Sequence, residues 1–445
     1  MNRASNAGHS LPMPTALKKQ AADVCARLRA RLDACTPEQA RALLFGLFWL
    51  SIVGFSFGQA FVVAGPLLCL PPLAFLYWKD WSNTTLARLP ARWLFLVLFL
   101  AVGVQLFHSQ WFSRSWGILS PNLLRGFLLP FIGMECVRTE KDLRRLGGAF
   151  FCAAVLQGAN GVWQYATGHD LIKNAPLLYG RLTGSFGTYR VGNYMGMILL
   201  PACAAGLLLP LRNRGARIAL TACLLAPGLF LWVFAQARMG YAALTLGLCA
   251  VWLSGRERIA WKPILPVLAL FVLLVLFGPS RISLEKALAD PRGELWVTAW
   301  QTMLHTPWFG TGIGSFVPAL QAAGLDLPLN GLEVQHPHNA YLQFLVDGGI
   351  VGFAAMTLFL FGMALWAWRR IRQGLRMERE EAATGTGGGS FWRLSLFFWG
   401  GWFGYLVVLG GGHDFYRTWF LSTGMTLLGI VLGACANGPT RRSRS

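Results

Sequence analysis

Two of the chain's seven histidines fall within three residues, in Gln335-His336-Pro337-His338-Asn339-Ala340-Tyr341-Leu342-Gln343. A neutral imidazole accepts a hydroxyl proton near pH 7. Asn339 is placed to cap the apolar helix that follows, which would fix His338 at a membrane surface. The same residues also read as interfacial polar groups closing a loop. A divalent cation gathered by Asp326, Glu333, His336 and His338 is a further alternative, although the chain has neither a DxD nor an HExxH pattern. A second set of residues is cationic: Arg114, Arg181, Arg190, Arg238, Arg281, Lys286 and Arg292. Arginine presents a planar fork of donors that matches phosphate oxygens in pairs. Arg238 stands in Phe234-Ala-Gln-Ala-Arg-Met-Gly240, a connection of a few residues between two apolar runs. Arg125 lies inside an apolar run, where a charge either snorkels or lines a polar cavity.

The elements that position these residues are membrane spans. Of 445 residues, 55% are hydrophobic and 13% charged, half the charge of an ordinary soluble chain, which excludes a soluble domain. About twelve stretches approach the roughly 20 apolar residues needed to cross hydrocarbon: 42–62, 65–78, 93–108, 117–137, 147–166, 191–210, 218–234, 239–254, 263–279, 342–368, 393–411 and 420–436. The expected fold is an all-α polytopic membrane protein of about 12 transmembrane helices. The net charge of +20 follows from basic alternate loops, among them Arg138 to Arg145, Arg212 to Arg217 and Arg369 to Arg379. By the excess of Lys and Arg on the inner side, both termini are cytoplasmic. No nucleic-acid partner is needed to explain the charge. The nine cysteines form no CxxC pair, so neither a disulfide framework nor a zinc site is expected.

The expected organisation is a basic amphipathic arm at 1–41, spans 1–9 at 42–279, an external loop at 280–341, spans 10–12 at 342–436 and a cytoplasmic tail at 437–445. The arm carries no apolar run before residue 42, unlike a cleavable signal. Thr36-Pro-Glu-Gln39 reads as a capping box opening the first helix. The run TGTGGGS in the last large inner loop reads as a flexible linker. A loop of some 60 residues between spans 9 and 10 is too long for a connector and is the place to seek function. It reads as helical near Glu294 to Leu304, Gly-rich at Gly310 to Gly314 and irregular until His338. Tyr189, Tyr194, Trp296 and Trp308 read as interfacial belt aromatics or as platforms for sugars.

Five segments together resemble the O-antigen ligase family of bacterial inner membranes, often called WaaL. They are Arg181-Leu-Thr-Gly-Ser-Phe186, Ala237-Arg238-Met-Gly240, Arg292-Gly-Glu-Leu-Trp296, Pro307-Trp-Phe-Gly-Thr-Gly-Ile-Gly-Ser-Phe316 and His336-Pro-His-Asn-Ala-Tyr-Leu-Gln343. They follow the family's order over roughly residues 175 to 360, with Ala237 where the family often has Ser or Thr. The resemblance implies an inner-membrane glycosyltransferase with a periplasmic active site. It would move O-antigen from undecaprenyl diphosphate to a sugar hydroxyl of lipid A-core, without metal or other cofactor and with inversion at the anomeric carbon. His338 would be the general base, with Arg238 and Arg292 on the diphosphate. Arg181, Arg190, His336, Arg125 and Asn339 would be substrate-binding residues. Membrane lipids surround the chain and deliver both substrates. A polymerase or a protein O-oligosaccharyltransferase of the same superfamily, and a twelve-span transporter as a non-enzyme, remain alternatives.

Overall fold

The computed structural model describes residues 34–208, 211, 213–256, 264–276, 292–325, 334–385 and 389–440. Residues 1–33 of the basic arm, Arg281, Lys286, Asp326, Glu333 and residues 441–445 lie outside them. The described chain is helical, as expected. Its helices are α1 (Pro37–Gly54), α2 (Gln59–Lys79), α3 (Trp93–Phe107), α4 (Phe112–Ile118), α5 (Leu124–Glu135), α6 (Glu140–Thr167), α7 (Val191–Cys203), α8 (Arg214–Phe234), α9 (Arg238–Ser254) and α10 (Ile264–Leu276). They continue as α11 (Arg292–Leu304), α12 (Phe316–Ala322), α13 (Ala340–Ala383), α14 (Phe391–Leu409) and α15 (Thr418–Asn437).

Local sequence sets the helix starts. Thr36 and Gln39 form the capping box that opens α1, with the Gln39 N–H donating to Thr36 Oγ1 at 3.2 Å and the Thr36 N–H to Gln39 Oε1 at 3.0 Å. Thr139 and Asp142 do the same for α6.

Among the described residues seven helices are long and apolar enough to cross a membrane: α2, α3, the α4–α5 pair, α6, α8, α13 and α15. The described parts of the other five expected stretches are mainly helical but fall short in length or apolarity, so among the described residues the expected count of twelve is not reached by that measure; of the stretch at 263–279 only 264–276 is described. Burial explains part of the shortfall. In α7 every residue from Val191 to Ala202 is buried, and α14 buries most of its length despite the polar-leaning run Trp399-Gly-Gly-Trp402. A helix enclosed by protein does not need a lipid-facing apolar surface. Small residues permit the close crossings expected of membrane helices: a Cβ on Gly240 would stand 2.3 Å from the Gly192 carbonyl oxygen, joining α7 to α9.

The described parts of the loop before α13, residues 292–325 and 334–339, carry regular structure. α11 covers the stretch expected to be helical. The stretch expected to be irregular contains α12, because Phe316, Ala319 and Leu320 present an apolar face at helical spacing. Leu295, Ala299, Met303, Phe316, Leu320 and Val334 form a small core of their own against Val346 of α13.

Candidate functional site

Asn339 caps α13 as expected, its side-chain oxygen accepting from the Tyr341 N–H at 3.0 Å and the Leu342 N–H at 3.3 Å. The cap leaves His338 in the left-handed region at φ 53°, a conformation uncommon for a non-glycine residue and held only where the surroundings over-determine it. Those surroundings are specific. The His338 N–H donates to His336 Nδ1 at 3.1 Å, and the His338 carbonyl accepts from the Gly412 N–H at 2.6 Å. The two imidazoles lie with centroids 4.3 Å apart.

Gly412 belongs to the connection between α14 and α15, and the first turn of α13 organises that connection too. Gln343 Nε2 donates to Asp414 Oδ1 at 2.9 Å, while its Oε1 accepts from the Phe415 N–H at 3.0 Å. A Cβ on Gly412 would meet the Arg292 guanidinium at 3.7 Å, so the start of α11 lies over this loop. His413 is fully buried, stacks on Phe420 with centroids 4.4 Å apart, and is hydrogen-bonded through Nε2 to the Asn193 amide of α7. The chain ends at 190–193, 292, 336–343 and 410–417 thus converge at one end of the bundle.

The electrostatics follow from that convergence. Burial and the Arg292 and Arg190 guanidinium groups push the His338 imidazole down to about 4. Burial, His338, Arg190 and Arg417 hold His336 far below its ordinary value. His413 is depressed by burial, Arg190 and Arg417. Arg190 is itself lowered, by burial and by Arg417 beside it. Three arginines therefore surround histidines that stay neutral in ordinary solution, an arrangement suited to a multiply charged anion next to a proton acceptor.

Of the residues singled out from sequence, the structure brings Arg190, Arg292, His336, His338 and Asn339 together. Arg181 joins them at one remove, its guanidinium lying 5.0 Å from the centroid of the Tyr189 ring, next to Arg190. Arg238 opens α9 beside Met239, which packs on Gly411. Ala237 is buried against Gly192 there. Arg125 is half-buried near the start of α5, next to Gly126, which packs on Leu421; among the described residues no hydrogen bond ties it to the cluster. Tyr194 is 1% exposed, which removes it both from an interfacial belt and from sugar stacking. His336 and His338 lie in the described residues, whereas Asp326 and Glu333 do not. Sequence reasoning missed Asn193, His413, Asp414 and Arg417. The one available signal was Arg417, a cation one residue before the last span.

The comparison with known families agrees with these motifs. Residues 217–357 match the family model for O-antigen ligase. No curated protein matches the chain. The O-antigen ligase match runs from α8 into α13 and contains Arg238, Arg292, His336, His338 and Asn339; Arg181, Arg190, His413 and Arg417 lie outside it. The match supports a glycosyltransferase-like enzyme of the O-antigen ligase and polymerase type in a multi-pass membrane chain, a type that implies lipid-linked polysaccharides as substrates.

Within this O-antigen ligase segment the Gly-rich motif has a structural role. Residues 307–316 dock on the kink of α13, where Gly349 adopts φ 58°. The Thr311 N–H donates to the Val346 carbonyl and the Gly312 N–H to the Asp347 carbonyl, both at 2.9 Å. A Cβ on Gly310 would stand 2.5 Å from the Gly348 nitrogen. Asp347 Oδ2 accepts from the Gly314 N–H at 2.9 Å and from the Tyr416 hydroxyl, tying this motif to the connection that carries His413. Arg114 closes the far side, donating from Nε to the Gly314 carbonyl at 2.7 Å and from Nη2 to Gln335 Oε1 at 3.2 Å.

Proposed function

We propose that the protein is an inner-membrane O-antigen ligase that transfers polysaccharide from undecaprenyl diphosphate to a sugar hydroxyl of lipid A-core on the periplasmic face. The observation that carries this reading is the convergence of residues 190–193, 292, 336–343 and 410–417, which brings Arg190, Arg292 and Arg417 to the end of the bundle that holds His338. The acceptor oxygen attacks the anomeric carbon from the face opposite the diphosphate. As the new C–O bond forms, the anomeric C–O bond to phosphate breaks and its electron pair stays on the diphosphate. Arg292, Arg190, Arg417 and Arg238 stabilise that charge, and the hydroxyl proton passes to His338. One displacement inverts the anomeric configuration. A diphosphate is already a good leaving group, so the step requires neither a general acid nor a metal.

The depressed His338 value gives this mechanism a pH signature. The imidazole is neutral and able to accept a proton above about 4 and becomes imidazolium as the pH falls through that value. In kcat/KM, which reports the free enzyme, the acid limb is expected near 4. Bound diphosphate offsets the arginines, raises the His338 value and moves the acid limb of kcat upward. Measuring both profiles for transfer to lipid A-core tests the assignment. A kcat/KM limb at the ordinary histidine value near 6.5, or a kcat limb below that of kcat/KM, contradicts it.

The orientation is tested separately by impermeant thiol labelling of Gln321→Cys in α12 and Thr384→Cys at the end of α13, in spheroplasts of a strain whose ligase lacks the native cysteines. Both positions are exposed. Residue 321 is expected to label and residue 384 not to; the reverse pattern overturns the periplasmic placement.

A further inference from the structure

At the end of the bundle opposite the histidines, a cavity of about 900 Å³ lies between α8 and α9 and reaches the start of α14 and the far end of α13. That volume is near the top of the roughly 300–1,000 Å³ range of small-molecule sites. α8 and α9 are joined tightly at their other end, where Trp232 Nε1 donates to the Gly240 carbonyl at 2.9 Å and the Tyr241 hydroxyl bonds the Val233 carbonyl. The interior is hydrocarbon, with Leu225, Leu229, Leu244, Leu248 and Val251 among its walls. Arg217, Arg256, Arg379 and Arg393 also line it, against one carboxylate among the described lining residues, Glu378. Glu378 Oε2 stands 3.5 Å from Arg393 Nε, and its Oε1 accepts from the Trp392 N–H at 2.7 Å. Among the described lining residues arginines thus outnumber carboxylates four to one.

The cations have fixed places. Arg256 lies with its guanidinium carbon 4.0 Å from the centroid of the Trp252 ring, a cation–π contact. Arg379 Nη1 donates to the Gly255 carbonyl at 3.2 Å. Arg217 sits in the first turn of α8. An apolar interior with a cationic end complements an anionic amphiphile, its tails between the helices and its phosphate at the arginines. A zwitterionic lipid would bring an ammonium group to the same cations, and a purely apolar ligand would make no use of them.

We propose that this cleft holds one anionic diacyl phospholipid of the phosphatidylglycerol type, with its phosphate at Arg217 and Arg256. The site is remote from the transferase chemistry and does not depend on it; only the leaflet, the cytoplasmic one, follows from the orientation above. The bound lipid joins the α8–α9 pair to α13 and α14, and α9 is already linked to α13 by the bond from Trp368 Nε1 to Ser254 Oγ at 2.9 Å.

The test uses the full chain, delipidated in detergent, with phosphatidylglycerol or phosphatidylethanolamine added, read by native mass spectrometry and by thermal unfolding. One phosphatidylglycerol is expected to be retained and to raise the unfolding temperature, with phosphatidylethanolamine doing neither. The double variant Arg217→Gln, Arg256→Gln should bind phosphatidylglycerol about tenfold more weakly or worse, since each surface cation adds of order one kcal/mol to anionic-lipid attraction. Leu248→Trp, which fills the cleft from a half-exposed position without changing charge, should also lose it. Equal retention of the two lipids overturns the proposal, as does unchanged binding in both variants or displacement of phosphatidylglycerol by undecaprenyl phosphate at equal concentration. Comparison of the two lipids on the parental chain decides the matter even where a variant fails to fold.

Discussion

Replacing His338 by Ala is expected to slow glycan transfer by about 10² to 10⁴, the usual contribution of a positioned general base, while binding of the lipid-linked donor survives. His336→Ala should be milder. Its Nδ1 accepts from the His338 N–H at 3.1 Å, and it is 6% exposed, which suits it to hold His338 in place rather than to reach an acceptor. Steady-state rates of the two variants with purified donor and acceptor, together with donor binding measured directly, check this. Comparable losses in both, or loss of donor binding in His338→Ala, would assign the pair to binding rather than to proton transfer.

The arginines are the second large effect. Lysine keeps the charge but loses the planar fork, so Arg292→Lys and Arg238→Lys are each expected to reduce kcat/KM by roughly ten- to a hundredfold, the worth of one charge-assisted hydrogen bond, with membrane insertion unchanged. Arg190→Lys and Arg417→Lys should fall in the same direction, because both guanidinium groups act on the same histidines. Arg292→Ala carries a second readout. Removing the largest electrostatic contribution to the depression of His338 should move the acid limb of kcat/KM up from about 4. If the Lys variants transfer glycan at the parental rate, a general positive potential replaces paired recognition of the diphosphate. If Arg292→Ala leaves the acid limb in place, the guanidinium does not act on the imidazole.

The parts of this site that were legible in the sequence are those fixed by local rules. Asn339 reads as a cap because an apolar helix follows it, and the cap in turn accounts for the placement of His338. Arg292 and Arg190 stand out because cations on the outer side run against the bias that orients membrane proteins. What was not legible is set by tertiary approach. Nothing in the spacing of Gly410 to Arg417 announces that Gly412 donates to the His338 carbonyl, or that Gln343 holds both Asp414 and the Phe415 N–H. The docking of residues 307–316 on the Gly348–Gly349 kink depends on two glycine-rich pieces that meet only in the fold. α12 escaped notice because its apolar face spans less than two turns. α7 and α14 show the complementary difficulty: an enclosed helix is not required to be long or strongly apolar, so counting apolar stretches and measuring helices give different totals.

Transfer in a defined system tests the central claim most directly. The purified protein is reconstituted with undecaprenyl-diphosphate-linked glycan and lipid A-core in the presence of EDTA, and the product is analysed for its acceptor and for the configuration of the new linkage. The account predicts glycan joined to lipid A-core, with the anomeric configuration inverted relative to the donor and at the same rate with or without chelator. Longer lipid-linked chains and no lipid A-core product would instead identify a polymerase. A glycosylated protein acceptor would identify an oligosaccharyltransferase, and absence of any new glycosidic bond would favour a transporter. Activity lost in EDTA and restored by Mg²⁺ or Mn²⁺ would contradict the proposed mechanism, in which His338 and the arginines act without metal.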